Sequence, residues 1–271
     1  MQLFYFKMKK KKDIKILVSN DDGVHSKGLH ILAKRLMSLG DVYIVAPDRE
    51  RNAAGHSLTL HKPLRIEVIG EKIFSLNGTP TDCITLGVNN IMEERPDLIV
   101  SGINMGGNLG DDITYSGTVS AAMEGTLLGI PSFAMSQVAD GDFQFDVAAE
   151  FALHLARLII WHGLSKGTLL NVNVPNVPWS GIKGARLTSL GKRIYDQNMI
   201  IEKVDPRGKK YYWIGSNSVK WEARKDTDNI AIEESMISIT PIHLDLTDYS
   251  SIKRLKEWEG ELSKNIKRGR K

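Results

Sequence analysis

Residues 14–23 read Ile-Lys-Ile-Leu-Val-Ser-Asn-Asp-Asp-Gly, and residues 41–48 read Asp-Val-Tyr-Ile-Val-Ala-Pro-Asp. Each is a short apolar run stopped by turn-forming residues, the pattern of a buried strand. Between them, from Gly28 to Leu39, Leu29, Leu32, Ala33 and Leu36 recur at helical spacing, and Gly40 ends the helix. Strand, helix and strand with short links form a βαβ unit, which implies parallel pairing.

The alternation continues along the chain after a loop-rich stretch. Thr81–Met92 reads as a helix, Pro96–Ser101 as a strand, Gly102–Gly110 as a glycine-rich loop and Ser116–Leu128 as a small-residue helix. Gly129–Met135 is a further buried strand, and Phe145–Trp161 is a long amphipathic helix with Phe151, Leu155 and Leu158 on one face. Leu169-Leu-Asn-Val-Asn-Val174 closes the series at Pro175. The expected fold is α/β, a Rossmann-like doubly wound and mostly parallel sheet, in which ligands bind beyond the carboxyl ends of the strands. Beyond residue 180 the runs 209–214 and 235–240 are β-rich and separated by polar loops. The expected organisation is a disordered basic extension over 1–12, with Met8 a candidate start, and a catalytic core over 13–180. A β-rich extension that completes the core follows over 181–252, then a basic C-terminal helix or tail over 253–271.

Composition narrows the class. The chain has 271 residues, 42% hydrophobic and 25% charged, which excludes collagen, wholesale disorder and a disulfide scaffold. Cys83 is the single cysteine, so no internal disulfide forms, in keeping with a reducing compartment. The net charge of +4 misleads. Residues 1–12 carry five lysines and no acid, and residues 253–271 carry eight basic against three acidic residues, so residues 13–252 have a net charge of −6. Basic ends of this kind read as solvated tails rather than nucleic-acid sites. An acidic body does not attract a phosphorylated substrate without a local device such as a bound cation. No apolar run reaches the ~18 residues of a membrane span, and nothing directs export, so a cytoplasmic location is expected.

The sharpest chemical feature is Asp21-Asp22 at the carboxyl end of the first strand. Adjacent carboxylates repel, and a divalent cation would relieve the repulsion. A turn at Asp22-Gly23, with Asp21 capping the next helix, accounts for the same residues. Later strand ends carry Asn52 and Asn104, which are either turn formers or oxygen ligands. If the strand ends converge, Asp21, Asp22, Asn52 and Asn104 form an oxygen set suited to Mg²⁺ or Mn²⁺. Tyr115-Ser-Gly-Thr-Val119 precedes a helix, where Ser116 and Thr118 either cradle phosphate or simply cap. Phosphate-loop, G-x-G-x-x-G, G-x-S-x-G and H-E-x-x-H motifs are all absent. His56 is the one histidine expected near the site, and a structural role suits it better than a catalytic one.

Val18–Gly23, Ala46–Arg49, Asn77–Cys83, Val100–Gly110 and Tyr115–Val119 together resemble the SurE family of stationary-phase survival proteins, as do Asp205–Gly208, Tyr211–Gly215 and Ser238–Ile242. The resemblance implies a metal-dependent phosphatase acting on nucleoside monophosphates, a 5'/3'-nucleotidase, with some members also attacking polyphosphate ends. It places metal ligands on Asp21, Asp22, Asn52 and Asn104, with Asp21 and Asp22 as the catalytic pair and one Mg²⁺ or Mn²⁺ per subunit. Many members carry Ser where this chain has Asn52, which still offers a carbonyl oxygen. The resemblance also implies a homodimer or homotetramer assembled through the C-terminal extension. The expected mechanism is attack on phosphorus by metal-activated water, with Asn108, Ser116, Gly117 and Thr118 binding phosphate. The alternatives are an exopolyphosphatase and a non-catalytic metal- or nucleotide-binding module.

Overall fold

The structure, a computed structural model, describes residues 14–139, 141–194, 200–214 and 220–268. The expected extension over 1–12 lies outside the described residues. In chain order the elements are β1 (Lys15–Ser19), α1 (Lys27–Leu36), β2 (Asp41–Pro47), β3 (Ile66–Gly70), β4 (Ile73–Leu76), α2 (Pro80–Leu86), β5 (Leu98–Met105), α3 (Gly117–Leu127), β6 (Ser132–Val138), α4 (Asp146–His162) and β7 (Thr168–Pro175). Then come β8 (Ala185–Leu187), β9 (Arg193–Ile194), β10 (Ile200–Val204), β11 (Lys210–Ile214), β12 (Lys220–Trp221), α5 (Asp228–Glu233), β13 (Ile237–His243) and α6 (Tyr249–Arg268).

Nine strands form one sheet in the order β3-β4-β2-β1-β5-β6-β7-β13-β8. Its centre, from β4 to β7, is parallel, as the βαβ reading expects. β3 and β13 run antiparallel to β4 and β7. Helices cover both faces. Ile16, Val18, Leu29, Leu32, Val100, Phe133, Ala152 and Val172 belong to the larger core, and Leu17, Val45, Cys83, Ile84 and Ile99 to the opposite one. Strands buried on both faces read as continuous apolar runs, which is why β1, β2 and β5 are conspicuous in sequence.

The chain leaves β1 towards β2 on one side and returns to β5 on the other. The switch point of the sheet therefore lies between β1 and β5, and a crevice opens there beyond their carboxyl ends. Three local readings change. β3 and β4 occupy part of the stretch that had read as loop. β5 runs on to Met105, through what had read as the start of the glycine loop. On α4 the buried face runs through Ala148, Ala152, Leu155, Ala156 and Ile159, while Leu158 is exposed, because the stripe follows the small residues packed on α1 and the sheet.

Candidate active site

The crevice is built by three segments, those that follow β1, β2 and β5. After β1, Asn20 donates its amide to the Gly23 carbonyl (3.2 Å) and the Ser26 hydroxyl (2.7 Å), fixing the turn that carries Asp21 and Asp22. Ser26, not Asp21, caps α1. After β2, the Arg51 N–H donates to the Asp21 carbonyl (2.7 Å) and Val24 N–H to the Pro47 carbonyl (2.8 Å), so the Asn52 loop is stitched over the Asp21-Asp22 turn. The same loop is tied to the turn before α3 by the Gly55 N–H on the Tyr115 carbonyl (3.2 Å) and to α3 itself by His56 Nε2 on Glu124 Oε2 (3.0 Å). Glu124 also accepts from Thr85 Oγ1, so His56 has a structural partner, as its sequence context suggests.

Asn104 reaches the crevice through a bulge. Ser101 pairs with Ala134 but Asn104 pairs with Ser136, an extra residue on β5. The bulge contains Gly102 at φ +134°, where a Cβ would lie 2.2 Å from the Met135 carbonyl oxygen, so only glycine fits. Asn104 turns Nδ2 to the Gly106 carbonyl (2.9 Å), which leaves Oδ1 facing Thr118 Oγ1 at 3.2 Å.

Asp21 is almost fully buried. The Thr118 hydroxyl donates to its Oδ1, and a Cβ on Gly117 would stand 2.7 Å from the Asp21 Cβ, so α3 begins in direct contact with this carboxylate. Burial raises the Asp21 pKa; the Thr118 hydroxyl and the first N–H groups of α3 act the other way. Asp22 is pushed up to about 7 by burial first and by the Asp21 charge second, against the Met105 N–H. Its Oδ2 is buried with no hydrogen-bond partner among the described residues.

All four expected metal ligands line one cleft of about 280 Å³, together with Asn108 and Ser116. Ser116 caps α3 by accepting from the Val119 N–H (3.1 Å), which leaves its hydroxyl proton free to donate. The Thr118 hydroxyl, by contrast, is fully buried against Asp21 and Asn104 and Thr118 does not line the cleft, so what Thr118 and Gly117 offer a ligand is the helix N-terminus rather than a side chain. Glu50, Ala53, Met105, Asp112 and Tyr115 also line the cleft without having been singled out from sequence. Glu50 carried a legible signal as an acid two residues from Asn52. Asp112 is paired with Arg193 Nη1 (2.9 and 2.7 Å) across an interval no sequence pattern reveals. Among the described residues no cluster of three or more His, Cys, Asp or Glu exists that could hold a metal. Two carboxylates supplemented by amide oxygens suit a hard cation rather than zinc.

The family model described as "Survival protein SurE" matches residues 16–197. This chain belongs to the SurE family. The "5'-nucleotidase SurE" of Geobacter metallireducens is 52% identical over 247 residues, covering 91% of this chain and 98% of the relative. That of Geobacter sulfurreducens is 53% identical over 245 residues, covering 90% and 93%. The crystal structure of the SurE protein from Aquifex aeolicus superimposes with a TM-score of 0.83 at 44% identity, covering 90% of this chain and 99% of that one. The solved SurE structure thus shares the α/β architecture, the expected fold.

Proposed function

We propose that this protein is a metal-dependent phosphomonoesterase that hydrolyses nucleoside monophosphates to nucleoside and phosphate, a 5'-nucleotidase. The observation that carries the reading is the pair Asp21 and Asp22 at the switch point, one buried with its hydroxyl partner and one with a buried oxygen left unpaired. Relatives at about half identity that bear the name 5'-nucleotidase support it.

A divalent cation fits this donor set. The cleft gathers the carboxyl groups of Asp21, Asp22 and Glu50, Asp22 Oδ2 has no partner among the described residues, and the donors are hard oxygens. Asp21, Asp22, Asn52 and Asn104 would hold one Mg²⁺ or Mn²⁺ per subunit. When bound, such an ion supplies Lewis-acid polarisation of the phosphoryl group and acidifies the attacking water. Thr118 holds Asp21 in one orientation, and Asn104 presents Oδ1 because its amide nitrogen is engaged by Gly106. The Ser116 hydroxyl and the Asn108 amide donate to non-bridging phosphate oxygens, and the N-terminus of α3 at Gly117 and Thr118 adds its positive end. Water has ready access, since the cleft is open to solvent.

The protein acts as a homo-oligomer in the cytoplasm. β10 and β11 expose Ile200, Val204, Trp213 and Ile214, and α6 exposes Ile252, Leu255, Trp258, Leu262 and Ile266 along one stripe, apolar surface that a second copy would cover. Among the described residues no helix is long and apolar enough to cross a membrane.

The test is phosphate release from a panel of nucleoside monophosphates and polyphosphate with Mn²⁺, with Mg²⁺ and with EDTA. Nucleotide hydrolysis abolished by EDTA is expected, with Asp21→Asn lowering kcat/KM by at least about 100-fold at saturating cation. Full turnover by Asp21→Asn would refute the ligand assignment, and faster release from polyphosphate would reassign the substrate.

A further inference from the structure

Among the described residues, the buried polar groups under the cleft include three that the chemistry above leaves unused: Ser136 on β6 and Asn171 and Asn173 on β7. None lines the cleft, and all are fully buried. A strand covered on both faces is most stable with apolar side chains at such positions, and burying an amide costs free energy unless it is hydrogen-bonded. Hydrogen bonds to residue 108 account for Ser136 and Asn173, while Asn171 is paired through its Nδ2 and its Oδ1 has no partner among the described residues. Asn173 Oδ1 accepts the Asn108 N–H (2.8 Å) while its Nδ2 donates to the Asn108 carbonyl (2.9 Å), so this one side chain pairs with the main chain of residue 108 as a neighbouring strand would. Asn171 Nδ2 donates to the same carbonyl (2.8 Å). The Asn108 side chain in turn donates one Nδ2 hydrogen to Ser136 Oγ (2.7 Å), leaving the second hydrogen of that amide for the cleft.

The register of the sheet makes this a single device. Asn104 is opposite Ser136, and Ser136 is opposite Asn173, so one rung across β5, β6 and β7 carries Asn104 to the cleft and holds Asn108 beside it. The segment being held needs holding. It contains Gly106 at φ +115° and Gly107, and glycine loses the most backbone freedom on ordering. At its far end the Gly110 N–H is fixed separately by Asp228 Oδ2 (2.7 Å).

We propose that Ser136 and Asn173 are positioning residues for the Asn108 amide, setting the distance and direction from which it meets the substrate phosphate. The proposal rests on the nucleotidase reading above and adds to it the groups that preorganise the phosphate donor.

A double-mutant cycle tests it on the full-length, metal-loaded protein. Ser136→Ala removes only one hydroxyl, and Asn173→Ala removes both bonds to the residue 108 main chain without adding a titratable group. Each is expected to lower kcat/KM for a nucleoside monophosphate about five- to tenfold and to weaken inhibition by inorganic phosphate by a similar factor, with the half-saturating cation concentration unchanged. In an Asn108→Ala background the same substitutions are expected to cost less than about twofold, because the group they position is gone. Independent, multiplicative losses in that background would overturn the proposal, as would a loss confined to cation binding. Using both variants keeps the test open if one fails to fold. Absence of nucleotide hydrolysis by the unmodified protein would instead count against the nucleotidase reading itself.

Discussion

At the scale of single residues, the site is governed by the cost of burying two adjacent carboxylates. Asp22 keeps its proton in the folded protein up to about pH 7, whereas in the unfolded chain it ionises near its ordinary value of 3.8. Asp21 is shifted in the same direction. Between those limits the folded state binds the extra proton, so folding of the metal-free protein is favoured at the acid end and loses stability as pH rises through about 7. Melting in EDTA is therefore expected to show a Tm that falls from pH 5 to pH 8. Added Mn²⁺ should raise Tm most at the alkaline end, where the ion replaces the proton. A Tm in EDTA that is flat or rises over that range would mean that the pair is not destabilised by burial. The adjacency of the two carboxylates was legible in the sequence. The partner of each was not: Thr118 lies 97 positions from Asp21, and nothing in the spacing told a capping hydroxyl from one that orients a carboxylate.

At the scale of elements, the βα alternation and most helix and strand positions followed from apolar periodicity and from glycine and proline stops. The exceptions have a common cause. β3 is exposed along nearly its whole length, so it lacks the one-sided pattern that marks a half-buried strand. β5 extends past Ser101 because the bulge at Gly102 keeps the ladder with β6 going, a pairing that depends on the neighbour. α3 shows how an element positions the site. Its first residue, Gly117, leaves room for Asp21 and nothing more. Alanine is the better helix former, but its methyl would stand 2.7 Å from the buried Asp21 Cβ, so Gly117→Ala is expected to lower the melting temperature by a few degrees and kcat/KM roughly tenfold or more, because the new methyl displaces the Asp21 carboxylate. Unaltered turnover would show that Asp21 can move without consequence.

At the scale of the whole molecule, the strand order decides where chemistry can happen, and the exposed apolar surface is where the proposed homo-oligomer would assemble. α6 presents Leu255, Trp258 and Leu262 to solvent on one stripe, and β11 presents Trp213 and Ile214. If α6 lies in the proposed homo-oligomer interface, Leu255→Glu with Leu262→Glu is expected to give a smaller species than the unmodified protein in sedimentation velocity while leaving turnover per subunit within about twofold, since surface substitutions outside a site have small effects. An unchanged assembly would remove α6 from the interface.

The amino-acid sequence by itself determined the α/β class, the parallel core and the residue types available for oxygen ligation. These follow from local periodicity and side-chain chemistry, which each segment carries on its own. Only the tertiary structure decided that Asp22 has an oxygen without a partner among the described residues, that Thr118 serves Asp21, and that Ser136 and Asn173 bond to Asn108. Those facts depend on sheet order and strand register, which bring together residues tens of positions apart, and no local pattern encodes which distant strand becomes the neighbour.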